Sequence, residues 1–101
     1  MNRLKTYLMF ARSSFLQTMS HRRDPAIIVQ EILLFAVKGA GKSQMMYKVG
    51  LSSAQMNKYL LLLLKSELLA VCNHDKKPTY KTTAKGKSFL EAFDTITKLL
   101  D

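Results

Sequence analysis

Apolar residues recur along most of this chain at helical spacing, and the breaks between the runs divide it into elements. Leu4, Leu8, Ala11, Phe15 and Met19 stand four, three, four and four residues apart. That stripe predicts an amphipathic helix over residues 2–21. Arg22, Arg23 and Asp24 interrupt it. Asp24 followed by Pro25 is a helix start, with a carboxylate to accept from the first amides and a ring that presets φ. A second helix is expected through Ile27, Ile28, Ile32, Leu33, Phe35 and Ala36, ended by Gly39 and Gly41. Ser43 is expected to cap a short helix over residues 44–49, which offers Met45, Met46 and Val49 to the core before Gly50 stops it. After Leu51, Ser52 or Ser53 caps a longer helix from Ala54 to about Ser66, with Met56, Leu60, Leu63 and Leu64 recurring at helical spacing.

The texture then changes. Residues 68–72 are short, apolar and partly β-branched, residues 73–78 are polar and turn-forming, and residues 79–82 alternate with β-formers. Strand, turn and strand make a β-hairpin. Thr83 can cap a last helix, with Phe89, Phe93, Ile96 and Leu100 on one face and Ala92 and Leu99 beside it.

The predicted fold class is therefore mainly α with a small β-hairpin. The short helix, the turn at Gly50-Leu51-Ser52 and the longer helix form a helix-turn-helix. The hairpin behind it, with a lysine-rich tip, makes it winged, and amphipathic helices extend it at both ends. Three parts are expected: an N-terminal helix (1–22), the winged domain (23–83) and a C-terminal dimerisation helix (84–101). A chain of 101 residues fits one domain with a modest core. No apolar run is long enough to cross a bilayer, and the patch from Tyr7 to Ala11 is too short for a signal-peptide core. The chain reads as cytoplasmic, with no membrane partner.

Charge narrows the partners. Sixteen Lys and Arg face seven Asp and Glu, a formal net of +9. From Ile32 to Ser66 there are five lysines and no acid, and from His74 to Lys87 five more lysines stand against Asp75 alone. From Ser88 onward the balance turns acidic, with Glu91, Asp94 and Asp101 against Lys98. A basic middle before a mildly acidic end points to a face that meets a polyanion.

The stretch Gly39-Ala-Gly-Lys-Ser-Gln44 tests a different chemistry, because Gly-Lys-Ser ends a phosphate-binding loop. The first glycine of that loop would stand at position 36, which is Ala36, and a strand rather than a helical run should precede it. Nucleotide hydrolysis is rejected on both grounds. No nucleophile–base pair or carboxylate dyad stands out, so the chain is read as a non-enzyme with no cofactor. His21 and His74 are isolated in polar contexts, so no metal site is expected. Cys72 is the lone cysteine and reads as a small buried apolar side chain. Tyr47, Tyr59 and Tyr80 read as packing residues with the hydroxyl at the edge rather than as base-stacking aromatics.

Residues 23–90 resemble the archaeal winged helix-turn-helix proteins, small DNA-binding regulators with a C-terminal dimerisation helix. The matching residues are Ile27 to Val37, Gly39, Lys42-Ser43, Gly50-Leu51-Ser52, Gln55, Tyr59-Leu60, Leu63, Leu68-Leu69, Tyr80, Thr83-Ala84-Lys85-Gly86 and Phe89-Leu90. Their order and spacing carry the resemblance, and residues 2–21 lie outside it. It implies DNA binding and transcriptional regulation.

The residues themselves agree. A recognition helix offers its N-terminal, outward side chains to base edges in the major groove. Here these are Ser53, Ala54, Gln55, Asn57 and Lys58. Gln55 and Asn57 suit adenine, Lys58 suits guanine or phosphate, and Ala54 allows close approach. Lys42, Ser43 and Gln44 open the short helix, whose free amides suit a backbone phosphate. Lys76, Lys77 and Lys81 place cations on the wing for phosphate or the minor groove.

Leu60 to Leu64 is apolar around the whole helix, which asks for more cover than a three-helix core gives. Pairing the outer helices across a two-fold axis would supply some of it, so a homodimer on double-stranded DNA is expected. The competing arrangement folds the N-terminal helix back within its own chain. Three other functions stand beside the specific regulator: a weakly specific architectural DNA binder, a protein-interaction winged helix, and a membrane-surface role for the N-terminal helix.

Overall fold

The computed structural model describes residues 24–74 and 77–100. The helix expected over residues 2–21 and the wing residue Lys76 lie outside them. Helix α1 spans Pro25–Phe35, and the Asp24 carboxylate caps it by accepting from the Ala26 N–H at 3.0 Å. It ends before the glycines, in a turn where the Gly39 N–H donates to the Ala36 carbonyl at 3.0 Å.

Helix α2 spans Lys42–Val49, and its cap is Gly41 rather than the expected Ser43. A cap residue must be extended, and Gly41 is (φ −86°, ψ 163°), whereas Ser43 already lies inside the helix. The Gln44 Oε1 reaches back to accept from the Gly41 N–H at 2.9 Å. Gly50 then turns the chain at φ 78°, a left-handed conformation that a side chain would strain.

Helix α3 spans Ser53–Lys65 and starts with a reciprocal cap. The Ser52 Oγ accepts from the Gln55 N–H at 3.1 Å, and the Gln55 Oε1 accepts from the Ser52 N–H at 3.0 Å. The helix closes with Leu68 N–H donating to the Leu63 carbonyl (2.9 Å) and Glu67 N–H to the Leu64 carbonyl (3.1 Å). This double closure needs a left-handed residue, and Glu67 takes it at φ 64°.

Strands β1 (Leu69–His74) and β2 (Lys77–Thr82) pair antiparallel, with Leu69 opposite Thr82 and His74 opposite Lys77. The hairpin is tied to the helices along its other edge. Ala40 and Tyr80 exchange backbone hydrogen bonds of 2.9 and 2.8 Å. Thr82 is buried, and its N–H and hydroxyl donate to the Ala36 and Leu33 carbonyls at 3.0 and 2.6 Å. Helix α4 spans Ala84–Leu100, and the Thr83 hydroxyl oxygen accepts from the Gly86 N–H at 3.0 Å as its cap.

The core gathers Ile28, Ile32, Leu33 and Ala36, Met45 and Val49, Leu51, Met56, Leu60 and Leu63, Leu69 and Leu90. Burying each large aliphatic side chain contributes about 1.5–3 kcal/mol before chain entropy is set against it. Two expectations fail here. Cys72 is exposed, because its position on β1 turns it away from the core. The buried line of α4 is Gly86, Leu90 and Asp94, not Phe89, Phe93, Ile96 and Leu100. Phe89 and Phe93 flank that line half-buried, with ring centroids 6.0 Å apart, while Ile96, Leu99 and Leu100 are exposed. Gly86 sets the line: a Cβ there would collide with the Leu68 carbonyl oxygen and the Thr82 methyl, so the helix backbone seats directly on the base of the hairpin.

Candidate nucleic-acid interface

The core fixes which side of α3 faces outward. Met56, Leu60 and Leu63 are buried, so the side opposite them carries Ala54, Lys58, Leu61 and Lys65, all exposed and spaced four, three and four apart. Asn57 and Ser53 flank this line on one side, and Gln55 and Leu62 flank it on the other; all four are exposed. The expected readers therefore do reach solvent, with Ala54 and Lys58 central and Ser53, Gln55 and Asn57 at the margins. Lys65 and Leu61 escaped the sequence reading, which stopped at the first two turns. The same helical spacing, run two turns further, finds both.

The helix starts are joined. Lys42, the first residue of α2, donates from Nζ to the Ser53 Oγ, the first residue of α3, at 3.3 Å. The first intrahelical bonds come from Met45 N–H to the Gly41 carbonyl (3.1 Å) and Met56 N–H to the Ser52 carbonyl (2.9 Å). The amides before them sit at the positive ends of two neighbouring helices, beside an ammonium group and without an acid in either first turn. That arrangement favours an anion.

Gln44 and Gln55 are both engaged through Oε1 in capping. Each keeps its amide NH₂ for a partner, but bidentate contact with adenine would require breaking a cap. Ser43 and Gln44 are exposed on α2 beside Tyr47. Tyr47 is 87% exposed, so its expected packing role is not seen, whereas Tyr59 and Tyr80 pack half-buried against the core. At the other end of α3, Lys85 Nζ donates to the Ser66 carbonyl at 2.9 Å, a cation placed at the negative end of the helix. On the wing, Lys77 and Lys81 are exposed and stand four residues apart on β2, which puts them on one face of the hairpin. The Ala40–Tyr80 pair joins that hairpin to the start of α2.

A two-helix corner followed by a hairpin with cations on both is the arrangement of a known family. The model of the winged helix-turn-helix family matches residues 22–101. The chain belongs to that family. Two solved structures resemble it across most of their length. One is Sso10a-2 from Sulfolobus solfataricus, described as a DNA-binding protein: it is 27% identical, with a TM-score of 0.63, over 77% of this chain and 85% of that one. The other is NolR from Sinorhizobium fredii, 22% identical with a TM-score of 0.61 over 91% and 89% of the two chains, a likeness of fold. No protein of curated function matches the sequence. Among the described residues, no group of three or more His, Cys, Asp and Glu could hold a metal ion, and no helix is long and apolar enough to cross a membrane.

Proposed function

We propose that this winged helix-turn-helix protein binds double-stranded DNA as a homodimer and regulates transcription. Helix α3 enters the major groove, α2 sets its N-terminus on a backbone phosphate, and the wing lays Lys76, Lys77 and Lys81 along the backbone. The observation that carries this reading is the outward line of α3, where Lys58 and Lys65 stand with no acid anywhere from Ile32 to Ser66. Likeness to Sso10a-2, itself described as DNA-binding, supports it. Lys42, Ser43 and Gln44 then position the protein, while Ser53, Ala54, Gln55 and Asn57 meet base edges and Lys58 meets a base edge or a phosphate.

The dimer is proposed through the N-terminal segment and α4. The exposed Ile96, Leu99 and Leu100 at the end of α4 support it, since a partner helix would remove them from water. Two α3 helices would then face half-sites about 10 base pairs apart or a multiple of that.

One observation favours a second reading, a weakly specific architectural binder. With Gln55 engaged in a cap and Ser53 with Lys42, the side chains free to hydrogen-bond a base edge thin to Asn57 and Lys58. A titration against selected and random duplexes over a salt series separates the two. A selected site bound at least about a thousandfold more tightly supports the regulator. Equal, salt-steep binding supports the architectural protein, and no binding at low salt removes both. Light scattering tests the dimer, which a stable monomer at micromolar concentration would exclude.

A further inference from the structure

The centre of the outward face of α3 is not wholly polar. Leu61 is 68% exposed and stands between Lys58 and Lys65 on the same line as Ala54. Its neighbours decide what can cover it. An apolar protein surface pressed onto Leu61 would strip water from both ammonium groups without offering them counter-charges, which is costly. A DNA major groove offers phosphates to the lysines and, on its floor, one apolar group: the 5-methyl of thymine. The spacing suits this, because seven residues of helix rise about 10.5 Å. That is roughly three base-pair steps of 3.4 Å, within a groove about 12 Å wide.

We propose that Leu61 is a specificity residue that reads a thymine methyl, with Ala54 placed over a second thymine about three steps away. This rests on the DNA-binding reading above and adds a position to it. Leu61 packs on the methyl carbon, and Lys58 and Lys65 hold the flanking phosphates so that the leucine is brought onto the base edge. The preference this creates is for thymine over cytosine and uracil at one position of each half-site.

The test uses the full chain and uracil, which differs from thymine only by that methyl. A duplex is selected from a random library with the wild-type protein, and each thymine is then replaced singly by uracil. At one position per half-site the substitution should weaken wild-type binding about fourfold, the effect of one buried methyl. In Leu61→Ala, whose fold is checked by circular dichroism and thermal melting, the same substitution should have no effect. Asn57→Ala should bind less tightly but keep the uracil penalty. The proposal is overturned if every uracil penalty persists in Leu61→Ala, or if the wild type shows none. It is also overturned if Leu61→Ala leaves base preference intact and changes the oligomeric state, which would place a protein surface on Leu61. Failure to select any site would instead remove the sequence-specific reading itself, and the methyl contact with it.

Discussion

The Lys42 ammonium donates to the Ser53 hydroxyl at 3.3 Å, so the first residues of the two helix-turn-helix helices hold one another. One charge thereby serves two helix starts. Lys42→Ala should weaken binding to every duplex alike and lower the slope of log affinity against log salt by about one unit. Ser53→Ala alone should do less, and the double variant should fall short of the sum of the two, because both remove the same link. Fluorescence anisotropy over a salt series reads both effects; additive losses would show that the pair does not act together.

Glu67 occupies a left-handed conformation at the end of α3. A side chain there costs about 1–2 kcal/mol that glycine avoids. Glu67→Gly should therefore raise stability by about 1 kcal/mol in urea denaturation, less what glycine's extra freedom in the unfolded chain removes. The Thr83 hydroxyl donates to the carbonyl of this same residue at 2.7 Å, and that backbone bond survives the substitution.

Gly86 makes the opposite case. A methyl group added there meets the Leu68 carbonyl oxygen and the Thr82 methyl, and the former is backbone that cannot rotate away. Gly86→Ala should lower stability by about 2 kcal/mol or more, despite alanine's better helix propensity. A thermal melt unchanged from the wild type would mean that α4 does not seat as described.

Thr82 supplies a hydroxyl to a carbonyl that its own helix has left open. Val37 N–H, the natural partner of the Leu33 carbonyl, donates instead to the Leu34 carbonyl at 3.4 Å, and Thr82 Oγ1 takes its place at 2.6 Å. Thr82→Val keeps the shape and removes the donor, so it should cost about 1–3 kcal/mol, the range for a buried polar group left unpaired. Thr82→Ser should retain most of that stability.

Much of this architecture is written in the spacing of apolar residues. Asp24-Pro25 and Gly50 each mark a boundary through local chemistry that needs no distant partner, and of the two serines offered for the next cap, Ser52 takes it, with Ser53 already inside the helix. What was not legible depends on contacts between distant segments. Asp94 looks like a solvent-facing acid, yet it is 2% exposed, with the Lys98 Nζ at 3.8 Å. Gln30 in α1 is 1% exposed, although its neighbours give no warning. The apolar stripe of α4 was drawn through its aromatics, but the closest approach belongs to Gly86, and the line of burial turned to follow it. On α3 the run Leu60 to Leu64 hid two roles in one composition: Leu60 and Leu63 fill the core, while Leu61 and Leu62 face water. The outward face of α3, proposed here as the reading face, was legible in outline because burial of Met56, Leu60 and Leu63 fixes the opposite side. The two glutamine caps blurred it, since a good adenine reader and a good capping residue are the same side chain.

The exchange of backbone bonds between Ala40 and Tyr80 gives the hairpin a fixed root. The backbone bonds that join the hairpin to the helices fall at Tyr80 and Thr82, towards its base, so the tip can change without breaking them. Grafted tips of different length on this one scaffold would therefore be expected to fold alike and, on the proposed reading, to differ in how far along a duplex they reach. The root turns the wing into an exchangeable part, and Ala40 into the seam at which it is fitted.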